Sequence, residues 1–289
     1  MKQSVLVVGG VSWNIVIRLD RFPEPRPHTV FSKGFHETLG STGAGKALNL
    51  SRLGLDVTLY GLIGEDESGT KVREHLATES LRFIYDVDPA GTERHVNLMA
   101  NDGGRISIYV AYASFEPSLD RPRLERLIGE SDVVVLNIIN YCRTLIPAIR
   151  AANKPIWCDI HDWDGKNAHH ADFVDAADVI FFSTQAMKDP REFMAAQVSA
   201  GKELVVGTMG AQGALCHSAD GSWIETAAAP VDQLVDTNGA GDAFFSGFLY
   251  GHLRGFEIAR CMELGTLVAA KCVQSTELAH PELSPDGLN

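Results

Sequence analysis

At positions 236–242 the chain reads Asp236-Thr237-Asn238-Gly239-Ala240-Gly241-Asp242, and an apolar run over 243–250 follows directly. The run predicts a helix over 241–253, while two glycines and an alanine leave the backbone N–H groups before it uncovered. A helix N-terminus concentrates unpaired donors and partial positive charge, so this loop suits a phosphate or an oxyanion. Asp242 adds a carboxylate there, where it can deprotonate a hydroxyl while a phosphoryl group is held.

Bulk composition narrows the classes of protein to consider. The 289-residue chain is 45 % hydrophobic, which is enough for the core of one α/β domain. Its net charge of -12 argues against nucleic acid or an anionic membrane as a partner. Five scattered cysteines without a Cys-x-x-Cys pair, together with a short apolar run at 4–8, predict a reduced cytoplasmic protein with no signal peptide.

Most of the chain alternates between strand and helix patterns. We expect strands at 5–8, 57–63, 133–136, 156–159, 179–182 and 204–208, and helices at 67–78, 124–128, 145–152 and 191–200. A hairpin at 213–217 and 222–226 and a last helix at 256–274 complete the chain. Such alternation predicts an α/β fold with a parallel sheet that is covered on both faces.

Two early regions, at about 12–38 and 94–111, interrupt the alternation. The first holds expected strands at 14–19 and 29–35 around a Pro-rich turn. The second holds expected strands at 95–100 and 106–111 around Asn101-Asp102-Gly103-Gly104, a strong hairpin signal. These strands form either a small separate sheet that can serve as a lid or extra edge strands of the main sheet. No linker is visible, so we expect one domain over 1–289.

A second Gly-rich stretch, Gly40-Ser41-Thr42-Gly43-Ala44-Gly45-Lys46-Ala47, has the Gly-x4-Gly-Lys spacing of a P-loop. The next position of a P-loop is Ser or Thr, whose hydroxyl ligates Mg²⁺, and Ala47 has no oxygen to offer. Residues 34–38 also make a poor buried strand. The sequence therefore argues against a P-loop and predicts a turn over 39–45 that opens a helix to about Leu53.

The stretch at 236–242 resembles the C-terminal signature of the ribokinase-like, or PfkB, family of carbohydrate kinases. Gly40-Ser41, with the helix end Arg52-Leu53-Gly54, is similar to the family's N-terminal signature, and 205–213 is similar to its Thr-x-Gly-x-x-Gly segment along the ATP. The resemblance implies a ribokinase-like three-layer α/β/α core with a mostly parallel sheet, and it favours a small β-sheet lid from 12–38 and 94–111.

The resemblance also implies a function, namely ATP-dependent phosphorylation of a hydroxymethyl or other alcohol group on a small sugar or sugar derivative. Asp242 would be the general base, and Gly239, Ala240 and Gly241 would form the anion hole. Substrate contacts are implied at Asn14, Gly40, Ser41 and Gly45, and ATP contacts at Thr208, Gly210 and Gly213. The implied cofactors are ATP and Mg²⁺. A K⁺ ion near Asp236 and Asn238 and a homodimer through the lid stay open.

The chain departs from the family pattern at positions that bear on the substrate and the metal. Relatives commonly carry Asp at the position of Asn14 and Asn at that of Gly45, and both touch the acceptor, so the identity of the sugar is open. Ser183 and Ala186 stand where relatives carry Asn-x-x-Glu, which helps to organise Mg²⁺. The metal ligands are therefore not assigned.

Two other functions remain open. A nucleoside kinase shares these motifs, and lid aromatics such as Phe31 and Phe35 could hold a base. A non-catalytic sugar- or nucleotide-binding regulator would account for the departures but not for the retained Asp242. We interpret Asp159-Ile160-His161-Asp162 as satisfied loop polars rather than a metal site, and His169-His170 as solvated surface.

Overall fold

The computed structural model describes residues 3–101 and 103–288, and this part of the chain contains thirteen strands and nine α-helices. The strands are β1 Ser4–Val8, β2 Ser12–Leu19, β3 Gly34–Gly40, β4 Asp56–Ile63, β5 Arg82–Val87, β6 Arg94–Ala100, β7 Arg105–Ala111, β8 Val133–Leu136, β9 Ile156–Asp159, β10 Val179–Ser183, β11 Leu204–Thr208, β12 Ala214–Ser218 and β13 Trp223–Thr226. The helices are α1 Thr42–Arg52, α2 Glu67–Leu76, α3 Arg121–Glu130, α4 Asn140–Arg143, α5 Ile146–Ala151, α6 Ala171–Ala176, α7 Pro190–Ser199, α8 Ala240–Leu253 and α9 Ile258–Cys272.

Nine strands form the larger sheet, in the order β13-β12-β11-β10-β9-β8-β1-β4-β5. The seven strands from β11 to β5 are parallel, and β12 and β13 add an antiparallel edge. Successive residues of β1 enter opposite cores, because Val5 and Val7 pack with α1, α2, α8 and α9, whereas Leu6 and Val8 pack with α3 to α7. A sheet buried on both faces gives the three layers that the alternation predicted.

The smaller sheet contains four strands in the order β3-β2-β6-β7. The central pair, β2 and β6, is parallel, while the two outer pairs are antiparallel. Both early regions therefore build a separate sheet, and the alternative of extra edge strands on the main sheet is excluded. Below we call this sheet the lid.

One lid strand was predicted in the wrong place. The strand expected at 29–35 is Gly34–Gly40, where Gly40 pairs with Ser12 and Gly34 with Arg18. Three prolines between 22 and 28 have no backbone N–H to donate, so pairing with β2 resumes only after them. The turn between β6 and β7 is present as predicted, although its Asp102 lies outside the described residues.

The strand order of the larger sheet creates a crevice beyond the carboxyl ends of the neighbouring strands β8, β1 and β4. From β1 the chain continues into β4 on one side and returns through β8 on the other, so the strand order reverses there. Ligands of open α/β sheets bind at such a switch point, beyond the carboxyl ends of the strands. Helix α1, which begins only two residues after β3 ends, packs against α8 at this point. None of the described helices combines the length and apolar character that a membrane crossing requires.

Candidate active site

A cavity of about 520 Å³ opens between the lid and the carboxyl edge of the main sheet. Its walls are the lid strands, the start of α1, the residues after β8 and β9, and the loop that precedes α8. The sequence-predicted residues that line it are Asn14, Ser41, Asn238, Gly239, Ala240, Gly241 and Asp242. The two Gly-rich stretches, which are far apart in the sequence, therefore meet at one cavity.

The loop before α8 keeps part of its donor capacity. Gly239 adopts a left-handed backbone, with φ at 82°, and serves as the N-cap of the helix. The Ala240 N–H donates to the Thr237 carbonyl over 3.3 Å, so this amide is partly occupied. The Gly239 and Gly241 N–H groups have no acceptor among residues 3–101 and 103–288. A Cβ at Gly241 would meet no atom within 4 Å, so the front of the loop is open.

Asp242 is buried at the first turn of α8 and faces the cavity. Its Oδ1 accepts a short hydrogen bond from the Lys46 ammonium, and the same Lys46 Nζ lies 3.1 Å from Oδ2 of Asp159. Lys46 itself is 1 % exposed. Positions 46, 159 and 242 thus form one buried triad, in which a single cation lies between two carboxylates.

Burial and charge act in opposite directions on these groups. Burial raises the pKa of Asp242 above its ordinary value, although the Lys46 ammonium opposes that shift. Burial also opposes ionisation of Asp159, yet Lys46 and His161 hold the pKa of this carboxyl below its ordinary value. Burial disfavours the Lys46 cation, but the two carboxylates raise its pKa overall, so the side chain stays protonated. A buried carboxyl with a raised pKa suits proton transfer near neutral pH.

Gly40 and Gly45 are buried, and each makes room for a polar side chain. A Cβ at Gly40 would lie 1.9 Å from Nδ2 of Asn14, and one at Gly45 would lie 2.6 Å from Oδ2 of Asp242. Asn14 in turn is 2 % exposed, and its Oδ1 accepts the His95 backbone N–H at 3.0 Å. The Asn14 and Asp242 side chains can therefore take these positions only because residues 40 and 45 are glycines.

Ser41 occupies a backbone conformation that favours glycine. It precedes α1 with φ at 73° and ψ at 154°, and its side chain makes no capping hydrogen bond. Such a conformation costs a non-glycine residue on the order of 1–3 kcal/mol. The next residue secures the helix start, since Thr42 Oγ1 donates to the Asn137 side chain at 2.7 Å.

The lid supplies an aromatic and polar wall. His95 and Tyr109 have ring centroids 3.8 Å apart, and Tyr112 stacks on Tyr109 at 6.3 Å and 8°. All three rings line the cavity. Phe31 and Phe35, the lid aromatics expected to hold a base, are instead 88 % and 70 % exposed. Phe31 precedes β3, Phe35 lies on its outer side, and neither lines the cavity. That expectation was wrong in its choice of residues.

The lid also contacts the loop before α8 directly. Arg105 donates a short hydrogen bond to the Asn238 side-chain oxygen, and Thr237 Oγ1 donates to the Gly103 carbonyl at 3.3 Å. Arg105, Ser107 and Tyr109 alternate along β7 and face the cavity. The last hairpin of the lid therefore contacts the loop before α8 through one side chain and one backbone carbonyl.

The predicted ATP contacts lie elsewhere on the same edge. Thr208 ends β11, next to Ser183 at the end of β10, and the exposed Gly210 follows in a short turn. Gly213 has φ at 101°, and a Cβ there would lie 2.0 Å from the Thr226 carbonyl, so its backbone role is to start β12. None of these three lines the cavity under the lid.

The structure also bears on the metal question. No group of three or more His, Cys, Asp or Glu side chains in the described ranges is placed to hold a metal ion. Ser183 Oγ accepts the Gln185 N–H in a local turn. Asp236 is buried, burial raises its pKa, and its Oδ1 accepts the Asn238 N–H at 2.7 Å. The K⁺ prediction beside Asp236 and Asn238 thus stays a prediction.

Several cavity residues were missed or undervalued by sequence reasoning. Lys46 was set aside together with the P-loop, and Asp159 and His161 were interpreted as loop polars although both line the cavity. His169, which was expected on a solvated surface, is half-buried, lines the cavity and contacts the Ile138 carbonyl. The signal available in the sequence was position, since 159–162 directly follows a buried parallel strand.

Known proteins resemble this chain in sequence and in fold. The family model described as "pfkB family carbohydrate kinase" matches residues 2–284. Acarbose 7(IV)-phosphotransferase of Actinoplanes sp. is 30 % identical over 275 residues, which cover 92 % of this chain and 91 % of that protein. A microbiome-derived acarbose kinase has a TM-score of 0.89 at 26 % identity, with 100 % and 98 % of the two chains covered. Ribokinase of Arabidopsis thaliana, solved with ribose and ATP, has a TM-score of 0.79 at 21 % identity over 100 % and 98 % of the chains.

Proposed function

Since this chain belongs to the pfkB family of carbohydrate kinases, we propose that it transfers the γ-phosphoryl group of ATP to an alcohol, such as a hydroxymethyl group, of a small sugar or sugar derivative. The observation that carries the proposal is the position of Asp242. Its carboxylate faces the cavity at the start of α8, directly beside the unoccupied N–H groups of Gly239 and Gly241. A base next to an anion-binding helix start is the arrangement that phosphoryl transfer to an alcohol requires.

In this mechanism the acceptor alcohol lies between Asn14 and Asp242. Its oxygen forms a bond to the γ-phosphorus while the bond from that phosphorus to the β,γ-bridging oxygen breaks. The alcohol proton passes to Asp242, and ADP leaves with the electron pair of the broken bond. The Gly239 and Gly241 amides donate to the charge on the transferring group, and the partly occupied Ala240 amide contributes less.

The nucleotide enters from the side of β10 and β11, where Thr208, Gly210 and Gly213 remain the predicted contacts. Mg²⁺ would neutralise the phosphate oxygens during transfer. The described residues offer no preformed acidic cage for it, which fits an ion that arrives on the nucleotide and keeps several waters. Asp159, another carboxylate that lines the cavity with Asp242, is already paired with Lys46.

The acceptor side supports a polar ring-shaped substrate. Tyr109 and Tyr112 offer ring faces, while Asn97 and Ser107 offer hydrogen bonds to hydroxyl groups. The similarity to an acarbose phosphotransferase adds acarbose-like sugars to the candidates. A nucleoside remains the second candidate, because the same tyrosine pair can stack on a base.

We also propose a homodimer through the lid. β7 is an edge strand, and Ile106, Ile108 and Val110 are exposed on the side opposite the cavity residues. A second copy of this chain would cover that apolar face. Light scattering after size-exclusion chromatography should give a dimer that Ile108→Glu converts to a monomer, and a monomeric wild-type protein would exclude the dimer.

The five cysteines are all buried and free, which suits the reducing cytoplasm that we propose as the compartment of this protein.

The proposed activity is tested by a coupled assay of ADP release with ribose, fructose, 2-keto-sugar acids, acarbose and adenosine. We expect a sugar to be phosphorylated, and Asp242→Asn should reduce turnover by at least about a hundredfold. Asp232→Asn, in the exposed segment that leads to the same loop, is the matched control and should retain turnover. Preferred use of adenosine would favour the nucleoside kinase. Binding without turnover would favour a regulator, and full activity of Asp242→Asn would remove the base.

A further inference from the structure

The mechanism above uses Asp242 but gives no role to the buried cation beside it. Lys46 extends from α1 into the space between α8 and the end of β9, and its Nζ lies 5.2 Å from the centre of the Phe245 ring. It binds Oδ1 of Asp242 and Oδ2 of Asp159. Oδ2 of Asp242 accepts no hydrogen bond within the described ranges. One oxygen of the base is therefore fixed, and the other is left for the acceptor alcohol.

We propose that Lys46 is a positioning residue for phosphoryl transfer, because its ammonium holds Asp242 and Asp159 as two ionised carboxylates around one charge and aims the free oxygen of Asp242 at the acceptor. The inference rests on the proposed function of Asp242. It goes further by assigning to Lys46 the charge state and the orientation of that base.

A purely structural role does not explain this triad. Buried ion pairs stabilise folds poorly, and well-packed apolar residues of similar volume often do as well or better. α1 and α8 also meet without the ammonium, since their apolar residues share one core and Ser246 Oγ of α8 lies 3.3 Å from the Lys46 backbone carbonyl of α1. The triad is also open to the cavity through both carboxylates. A costly buried cation at that place is expected where chemistry needs it.

The groups that face Asp242 can be named from every neighbouring element. Lys46 comes from α1, and Asp159 and His161 come from the end of β9 and the loop after it. Cys272 comes from α9, but burial raises its pKa to about 12, so it is neutral near neutral pH. In the wild-type protein Asp242 thus faces one positive charge, on Lys46, and one negative charge, on Asp159, with the His161 ring beside them.

This charge pattern predicts shifts of opposite sign from two substitutions. Lys46→Met leaves Asp242 facing the Asp159 carboxylate alone, so the pKa of Asp242 should rise by about one unit or more. Asp159→Asn gives Lys46 wholly to Asp242, so the pKa should fall by a similar amount. The double variant removes both charges and should return the pKa close to the wild-type value.

The shifts can be measured without substrate. Aspartate labelled with ¹³C at the side-chain carboxyl is titrated by NMR, and the Asp242 signal is assigned from its loss in Asp242→Asn. With substrate, the pH at which kcat/KM falls on the acidic side should follow the same order. This pH should be lowest for Asp159→Asn and highest for Lys46→Met. Shifts in the same direction for both single variants, or no shift in either, would overturn the proposal.

Controls separate positioning from folding and from the activity itself. Lys202→Met removes another buried lysine, which does not line the cavity and donates to the Asp175 and Ala177 carbonyls. This variant should lower the free energy of unfolding without moving the acidic limb of kcat/KM. His161→Asn tolerates the left-handed backbone at 161 and removes the imidazole ring beside Asp159. The order of the three pKa values of Asp242 should persist on that background. If Lys46→Met does not fold, the pKa of Asp242 in Asp159→Asn still tests the proposal, because a fall supports it and an unchanged or raised value overturns it. The NMR titrations can show the expected pKa shifts while the assay finds no acceptor that is phosphorylated. That result would refute the proposed activity and leave the role of Lys46 in setting the charge of Asp242.

Discussion

Gly45→Ala tests the fit between α1 and the proposed base. A Cβ at position 45 would lie 2.6 Å from Oδ2 and 3.1 Å from Cγ of Asp242, whereas ordinary contacts begin near 3.4 Å. The carboxylate must therefore retreat by about 0.8 Å, and a misplacement near 1 Å can cost about a hundredfold in rate. That factor corresponds to about 2.7 kcal/mol of activation free energy.

The same substitution should have little effect on the folded state as a whole. Alanine favours a helix interior over glycine by about 1 kcal/mol, which offsets part of the strain of the new contact. We therefore expect kcat to fall about a hundredfold while the free energy of unfolding changes by less than about 2 kcal/mol. Loss of turnover in a stable protein is the distinguishing result.

The assay is ADP release with the best acceptor, alongside thermal unfolding of the same samples. Gly129→Ala is the matched control, because Gly129 also lies in a helix and a Cβ there would meet no atom within 4 Å. It should retain full turnover. If Gly45→Ala kept the wild-type kcat, the free oxygen of Asp242 would not be the one that receives the proton.

Three further outcomes follow from the structure. Ser41→Gly should raise the free energy of unfolding by about 1 kcal/mol, because glycine relieves the backbone at φ 73°, and thermal denaturation measures the gain. Arg105→Gln should raise the acceptor KM about fivefold with less change in kcat, since an exposed lid contact to Asn238 contributes about 1 kcal/mol; steady-state kinetics separates the two. Native protein should react slowly with a thiol reagent until denatured, because burial raises the pKa of Cys142, Cys216 and Cys272 to about 12.

The main layer of the fold was predictable because its strands are buried on both faces. Short apolar runs such as those at β8 and β11 stand out between polar segments, and every strand predicted for the parallel sheet is present. β5 was missed because it lies at the edge of the sheet, where half-buried residues dilute the apolar signal. The lid strand β3 was misplaced because only its last two residues are buried, so its apolar signal is weak, and because the prolines before it delay the pairing with β2.

The site was predictable where it is local and not where it is assembled. The loop at 239–242 carries its own signal, because glycines and a helix start lie next to each other in the sequence. The triad of Lys46, Asp159 and Asp242 joins positions that are 113 and 196 residues apart, and no short pattern links them. The aromatic wall likewise depends on which face of β7 turns inward, which follows from the register with β6.

The residues at 45 and 46 act on the two oxygens of the same carboxylate, that of Asp242. Gly45 stands where relatives commonly carry Asn, and the missing side chain leaves the space that Asp242 Oδ2 now occupies. Lys46, one position further along α1, reaches the other oxygen of the same carboxylate. A side chain at 45 would push the Asp242 carboxylate away from the Lys46 ammonium, and an uncharged residue at 46 would leave two buried carboxylates facing each other. If Asp242 is the base that we propose, Gly45 therefore affects the acceptor by setting the position of that carboxylate, and Lys46 fixes the carboxylate from its other oxygen.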